Sequence, residues 1–278
     1  MTTRHSIAFG PRLVPTATGH LRAALLVTPS PTIEKAAPSI GEPGAIYARA
    51  LEQHDVLRST LAYFGVQTTI VEPRGDEPYE TNAADAAVVF EDGAALMRLT
   101  SLGRRAEVDR VESEFARLDV PVAGHIAAPA LLDGNDVLLA GKHAFVGVGS
   151  RGNQLGRDGF ARLARERGYR VVEVKLADGV PALRCVAGAI SSDTIVLGAD
   201  KTDASAFQGF RTIVLDSSEA QAAGVLTISD GHVLADIRYR TALGTLRRAG
   251  IRVDAIDLYE FTKLGMTPSM LALALRRE

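Results

Sequence analysis

Short apolar, β-rich runs alternate with helically spaced stretches over nearly the whole chain, and this alternation confines it to the α/β class. The runs are Ala23 to Val27, Thr68 to Val71, Ala86 to Phe90, Ala94 to Arg98, Asp136 to Leu139, Ala144 to Val148, Arg170 to Val174, Thr194 to Leu197, Arg211 to Leu215 and Val225 to Ile228. Their length and β-branched content predict buried or half-buried strands. Helical spacing marks Ile46 to Tyr63, Arg104 to Leu118, Gly156 to Arg167, Ala204 to Gln208 and Tyr239 to Ala249. Gly65, Gly168 and Gly250 stand where a left-handed glycine would end a helix before the next strand. Glu91-Asp92-Gly93 separates two adjacent runs and predicts a hairpin, so the sheet structure is expected to be mixed. No Pro/Gly/Ser-rich linker divides the chain, and residues 1–278 read as one domain.

Composition narrows the function classes. With 46% hydrophobic and 23% charged residues the chain can bury a large core, which excludes the disordered class. The net charge of -2 arises from 33 acidic and 31 basic residues without a block of either sign, which argues against a nucleic-acid partner. Tryptophan is absent and aromatics make up 5%, so a base-stacking platform has little to be built from. Cys185 is the only cysteine, so an internal disulfide and CxxC-type metal sites are excluded, and a reducing cytoplasm is the expected location. The N-terminal stretch lacks a signal-peptide core, and no run approaches the ~18 apolar residues of a membrane span.

One motif points to a nucleotide. Gly147-Val148-Gly149-Ser150-Arg151-Gly152 satisfies GxGxxG after a strand and before a helix, with Glu173 near the end of the next strand. Such glycines let a pyrophosphate approach the backbone, and the acid would take ribose hydroxyls, so NAD binding is one alternative. An equally good reading makes Arg151 the functional residue of a strand-to-helix turn. A lone GxGxxG is a weak signal.

Three segments in order resemble the dimethylarginine dimethylaminohydrolase branch of the guanidine-modifying (pentein, amidinotransferase-like) superfamily. The first is Asp85-Ala86-Ala87-Val88-Val89-Phe90-Glu91-Asp92-Gly93-Ala94-Ala95-Leu96 followed by Gly103-Arg104-Arg105-Ala106-Glu107-Val108. The second is Leu132-Asp133-Gly134-Asn135-Asp136-Val137-Leu138, then Phe145-Val146-Gly147 and Arg151-Gly152-Asn153. The third runs from Glu260-Phe261-Thr262-Lys263-Leu264-Gly265 to Leu275, where the family has a glycine-rich turn, its catalytic cysteine and an apolar strand. The resemblance implies a five-bladed α/β propeller of ββαβ-type units with the active site at its centre. About 55 residues per blade would fill 278, although no internal sequence repeat is visible. It also implies amino-acid-sized substrates, no cofactor, and dimers in some members.

The implied chemistry needs a thiolate to attack the guanidinium carbon, a histidine to protonate the leaving amine, and a carboxylate to orient the histidine. Asp133 takes the carboxylate position. Counting from Lys263 in the family's Lys-x-x-Gly-Gly-x-x-Cys pattern lands on Met270, with Ser269 the candidate if the register slips by one. The family's Leu-His-Leu-Lys run matches Pro181-Ala182-Leu183-Arg184, which puts Ala182 at the histidine position. A thioether cannot form a thiolate, and alanine moves no proton. Cys185 cannot be aligned onto the missing cysteine and reads as a small core residue. His125 or His143 as a replacement base, and Lys263 paired with Ser269, are the remaining ways to rescue catalysis.

The substrate-gripping positions are retained. Arg104 and Arg151 match family arginines near the substrate, and two guanidinium forks converging on one pocket would select a carboxylate. Asp85 matches as an acceptor. The preceding segment departs, because two family carboxylates become Tyr79 and Ala84, for which Glu80 could compensate. The expected function is binding of a small carboxylate, arginine-like, with ordinary cysteine–histidine hydrolysis lost. The rivals are a hydrolase of linear amidines or guanidines with an altered mechanism, the NAD-binding reading, and a scaffold or interaction protein. Partners from other classes, nucleic acid and membrane, are not expected.

Overall fold

The computed structural model describes residues 12–39 and 41–278. Among these, fifteen strands form five separate three-stranded sheets. The strands are β1 (Leu21–Val27), β2 (Gln67–Val71), β3 (Ala87–Val89), β4 (Ala94–Leu96), β5 (Val122–His125), β6 (Val137–Ala140), β7 (His143–Val148), β8 (Arg170–Lys175), β9 (Ala187–Ala189), β10 (Thr194–Gly198), β11 (Arg211–Leu215), β12 (Leu226–Ser229), β13 (His232–Asp236), β14 (Arg252–Ile256) and β15 (Ala272–Arg277). Each sheet repeats one pattern, an antiparallel pair followed by a parallel neighbour, as in β3-β4-β5 and β6-β7-β8. The first sheet is completed across the chain, because β15 pairs antiparallel with β1 while β2 lies parallel on its other side. These are the five ββαβ units of a mixed α/β propeller.

The parallel pair in each unit requires a crossover, which is helical. Helices α1 (Tyr47–Tyr63), α2 (Ala106–Arg117), α3 (Gln154–Glu166) and α4 (Arg240–Arg248) supply four of them. The fifth is shorter than its spacing suggests: Ala204 to Gln208 forms a 3-10 turn at Ala204–Phe207 rather than an α-helix, since Asp203 caps it and Gly209 follows with φ +92°. In α2 the apolar stripe Val108, Val111 and Phe115 is buried, each such side chain contributing about 1.5–3 kcal/mol. Glu107 and Asp109 in its first turn oppose the helix dipole favourably. Gly65, Gly168 and Gly250 follow α1, α3 and α4 with φ of +77°, +77° and +87°, the left-handed conformation that ends each helix.

The first strand of each unit, β3, β6, β9, β12 and β15, faces a common axis, and residues of all five border one cavity of about 100 Å³. Four of these inner strands are entered through a single helical turn: Ala83–Asp85, Gly134–Asp136, Leu183–Cys185 and α5 (Pro268–Leu271). The fifth, β12, is entered through a kinked 3-10 stretch, Ser217–Ala223. The repeat that the sequence conceals is therefore structural, and it gathers the candidate site residues at one end of the axis. Among the described residues no helix is long and apolar enough to cross a membrane.

Candidate functional site

The entry turns carry a buried cluster of carboxylates and guanidiniums. Asp85, fully buried at the end of its turn, receives Nη1 of Arg104 at 2.7 Å. Arg104 lies in the turn Gly103–Arg105 just ahead of α2, and its Nε and Nη2 donate to the two oxygens of Glu107 at 2.8 Å each. A bidentate fork of this kind is strong and directional. It also occupies the group. Arg104 is 3% exposed and its three bonded nitrogens serve internal carboxylates, so the expected pair of arginines converging on a ligand carboxylate is not what the fold provides. Glu107 was quoted in the first family-like segment without a role, although its i,i+3 spacing from Arg104 carries the signal of this pairing.

Arg151 is placed differently. Its Nη1 sits 3.4 Å from both Asp85 and Asp133, its side chain is 21% exposed, and among the described residues Nε and Nη2 have no hydrogen-bond partner. Burial pulls its pKa down, but Asp85, Asp133 and Asp136 outweigh that and hold it above the usual value. Asp133 accepts the Thr100 N–H at 2.7 Å; burial and the neighbouring Asp85 push its carboxyl up. Gly134 is required at the next position, because a β-carbon there would overlap the Ala84 carbonyl oxygen.

Two further side chains at this turn were quoted in the family-like segment without a role. Asn135 is fully buried with neither amide atom hydrogen-bonded, and Asp136 leaves Oδ2 unpartnered while Oδ1 accepts the Leu183 N–H at 3.0 Å. Burial pushes the Asp136 carboxyl up to about 8. A folded pKa above the unfolded value means that stability is full below the ordinary carboxylate range and declines as pH rises towards 8. Asp136→Asn keeps an oxygen for Leu183 and removes the titration. It is expected to stabilise the fold by about 2 kcal/mol at pH 8 and to change little at pH 4, read as a shift in urea midpoint. A variant no more stable than the parent at pH 8 would show that the carboxylate is ionised in the fold and held by Arg151.

The positions matched to the thiol and the imidazole fall in one buried cluster. Met270, in α5, and Ala182, at the entry to the Leu183–Cys185 turn, belong to one apolar cluster and are 2% and 0% exposed. Cys185 joins them, its Sγ 3.4 Å from the Met270 sulfur and 3.3 Å from the Gly265 carbonyl oxygen. The core reading of Cys185 thus comes with a neighbour that sequence distance hid. Burial pushes its thiol up to about 12, which leaves almost no thiolate at neutral pH. Ser269 turns the other way, towards the axial cavity, with its hydroxyl 3.2 Å from Thr267 Oγ1 and 3.4 Å from the Arg184 carbonyl oxygen.

None of the rescuing groups reaches this place. Lys263 is ion-paired with Glu260 at 2.6 Å and lies over the Tyr259 ring, so its ammonium is committed there and not to Ser269. His125 pairs with Glu112 at an exposed site, and His143 stacks between Phe145 and Phe210. Glu80 does not compensate for Tyr79 and Ala84, because its two oxygens accept backbone N–H groups of residues 74 to 77. The GxGxxG segment holds no phosphate cradle either. A β-carbon at Gly147 would meet Asp136 Oδ1 at 2.9 Å and Leu183 at 3.2 Å, and one at Gly152 would meet the Leu131 carbonyl at 2.9 Å. Those glycines serve packing against the protein, Asn153 caps α3 itself, and Glu173 pairs with Gln154 and Arg157 on the surface. Among the described residues no group of three or more His, Cys, Asp or Glu side chains is arranged to hold a metal ion.

Five ββαβ blades around one axis, with an acid–guanidinium cluster on the turns that enter the inner strands, define a pentein. The chain is 30% identical to a dimethylarginine dimethylaminohydrolase of Streptomyces coelicolor over 92% of its length and 97% of that protein's. It belongs to the dimethylarginine dimethylaminohydrolase family. The dimethylargininase of Pseudomonas aeruginosa, solved with citrulline, superposes with a TM-score of 0.83 at 23% identity over 91% of this chain and 99% of that one. A cyanobacterial arginine dihydrolase, ArgZ, solved as its N-terminal domain with product bound, gives 0.80 at 19% identity over 92% and 97%. No protein-family model matches the chain.

Proposed function

We propose that this chain binds a free amino acid of arginine-like shape in the cluster around Arg151 and does not perform thiol-based guanidine hydrolysis. One observation carries the reading: the two positions matched to the reactive groups, Met270 and Ala182, are sealed in an apolar cluster, while Arg151 keeps uncommitted donors beside Asp133 and the unpartnered oxygen of Asp136. A guanidinium with two free nitrogens suits a carboxylate, and buried carboxyls beside it suit the cationic end of a zwitterion. Amino-acid ligands in the solved relatives, citrulline in one and substrate or product in another, support the size class. Arg104 acts through Asp85, holding that carboxylate where Arg151 meets it.

Thermal shift with arginine, methylated arginines, citrulline, ornithine and NAD tests this on the parent and on Arg151→Ala. At least one amino acid is expected to stabilise the parent, with affinity falling tenfold or more in the variant, and none is expected to be turned over. A response to NAD alone, or an amino-acid response that survives Arg151→Ala, would overturn the assignment.

A further inference from the structure

The axial cavity is a different place from the cluster around Arg151. It is bordered mostly by small and β-branched residues of the five inner strands, yet two arginines also line it, Arg184 from the turn that enters β9 and Arg277 from the end of β15. Arg277 is 6% exposed; its Nη1 donates to the Gly19 carbonyl oxygen at 2.8 Å. Arg184 donates through Nη2 to the Ser269 carbonyl oxygen. Neither guanidinium has a carboxylate partner among the described residues, and residues 1–11 and 40 contain no Asp or Glu that could supply one. Both side chains nevertheless line the cavity.

Two positive groups facing one low-dielectric space without a counter-charge is an arrangement that proteins normally avoid. Burial, and for Arg277 also the charge of Arg184, depress these groups to about 10 for Arg184 and about 9 for Arg277, which leaves both protonated at neutral pH. Asp85 acts on Arg184 only through space, without a bond to it. Elsewhere in the fold each buried arginine of the cluster has its acid; here the two arginines border a cavity of about 100 Å³, a size that suits several waters or one small anion. The neighbouring hydroxyls do not compete as donors. Thr227 donates to the Ala189 carbonyl, and Ser269 is engaged with Thr267 and the Arg184 carbonyl.

We infer that the propeller axis holds a second binding site, in which Arg184 and Arg277 bind a small oxyanion of the phosphate class. Planar guanidinium forks present paired donors that match two oxygens of such an anion, and the apolar walls strengthen the attraction. Ser269 and Arg184, from the entry turns of β15 and β9, both line the site, so its occupancy stabilises those turns. The inference does not depend on the amino-acid reading, because the two sites share no side chain.

Phosphate is the probe. In thermal shift at constant ionic strength made up with chloride, saturating phosphate is expected to raise the parent's Tm by roughly 5 °C. Arg277→Met and Arg184→Met are each expected to melt higher than the parent in phosphate-free buffer, since each removes an uncompensated charge, and to lose the phosphate increment. Equilibrium dialysis of the parent with radiolabelled phosphate is expected to give one site per chain, which keeps the inference testable if either variant fails to fold. Equal phosphate increments in parent and variants, or no bound phosphate in dialysis, would overturn it.

Discussion

Arg104→Ala is expected to destabilise the fold by about 3–5 kcal/mol, on the order of 10 °C in Tm, which is a larger effect than loss of a ligand contact would have. The reason is what it leaves behind. Asp85 is fully buried, with Arg104 at 2.7 Å and Arg151 only at 3.4 Å, and Glu107 has its two oxygens aligned on the same guanidinium. Removing the cation strands Asp85, which water does not reach, and leaves the largely buried Glu107 without its fork, and breaking one side of a buried pair costs far more than the intact pair contributes. Arg104→Lys restores charge but not the fork, and should recover part of the loss. Urea unfolding with unchanged m and a lowered midpoint is the measurement. A loss below about 1 kcal/mol would mean that Arg151 alone neutralises Asp85 and that Arg104 is free for another role.

Met270→Cys is expected to give no citrulline from dimethylarginine above background, and Met270→Cys with Ala182→His to give the first measurable turnover. The new thiol would lie against Cys185 in the same apolar cluster. A thiol held near 12, as Cys185 is, is ionised to about one part in 10⁵ at neutral pH, so the nucleophile would be nearly absent. The departing amine would also lack its proton donor, a contribution of about 10²–10⁴ in rate. An imidazole at residue 182 addresses both defects, since it stabilises the thiolate and supplies the acid. The assay requires reductant, because two thiols would then face each other. Substantial citrulline from the single variant would overturn the match of Ala182 to the histidine position.

The cluster shows where sequence reading reaches. Asp85, Arg104, Asp133 and Arg151 were legible because each stands in a local pattern that resembles a family segment. Their partnerships were not, because which acid takes which fork depends on how three turns from different blades abut. Arg104 and Arg151 look equivalent in the sequence, yet one sits beside Glu107 on the same helical turn and is consumed by it, while the other stands alone at the end of β7. Asn135 and Asp136 stand in the same family-like segment as Asp133, but nothing local told that their side chains would be buried without full partners. Strands β5, β9, β13 and β14 also escaped, being short or interrupted by Gly, His, Arg and Asp, so their apolar periodicity is weak; tertiary pairing makes them strands.

The sequence by itself determined the alternation of strand and helix, the left-handed glycines that stop the helices, the hairpin at Glu91-Asp92-Gly93, and the absence of a thiol or imidazole at the matched positions. These are properties of a residue and its near neighbours. Only the tertiary structure decided that β15 closes the ring on β1, that Cys185 touches Met270 across 85 residues of chain, and that Arg184 and Arg277 face one cavity without an acid. Such facts depend on ring closure, which brings the same point of every blade to one axis, and nothing in local sequence encodes what will stand opposite.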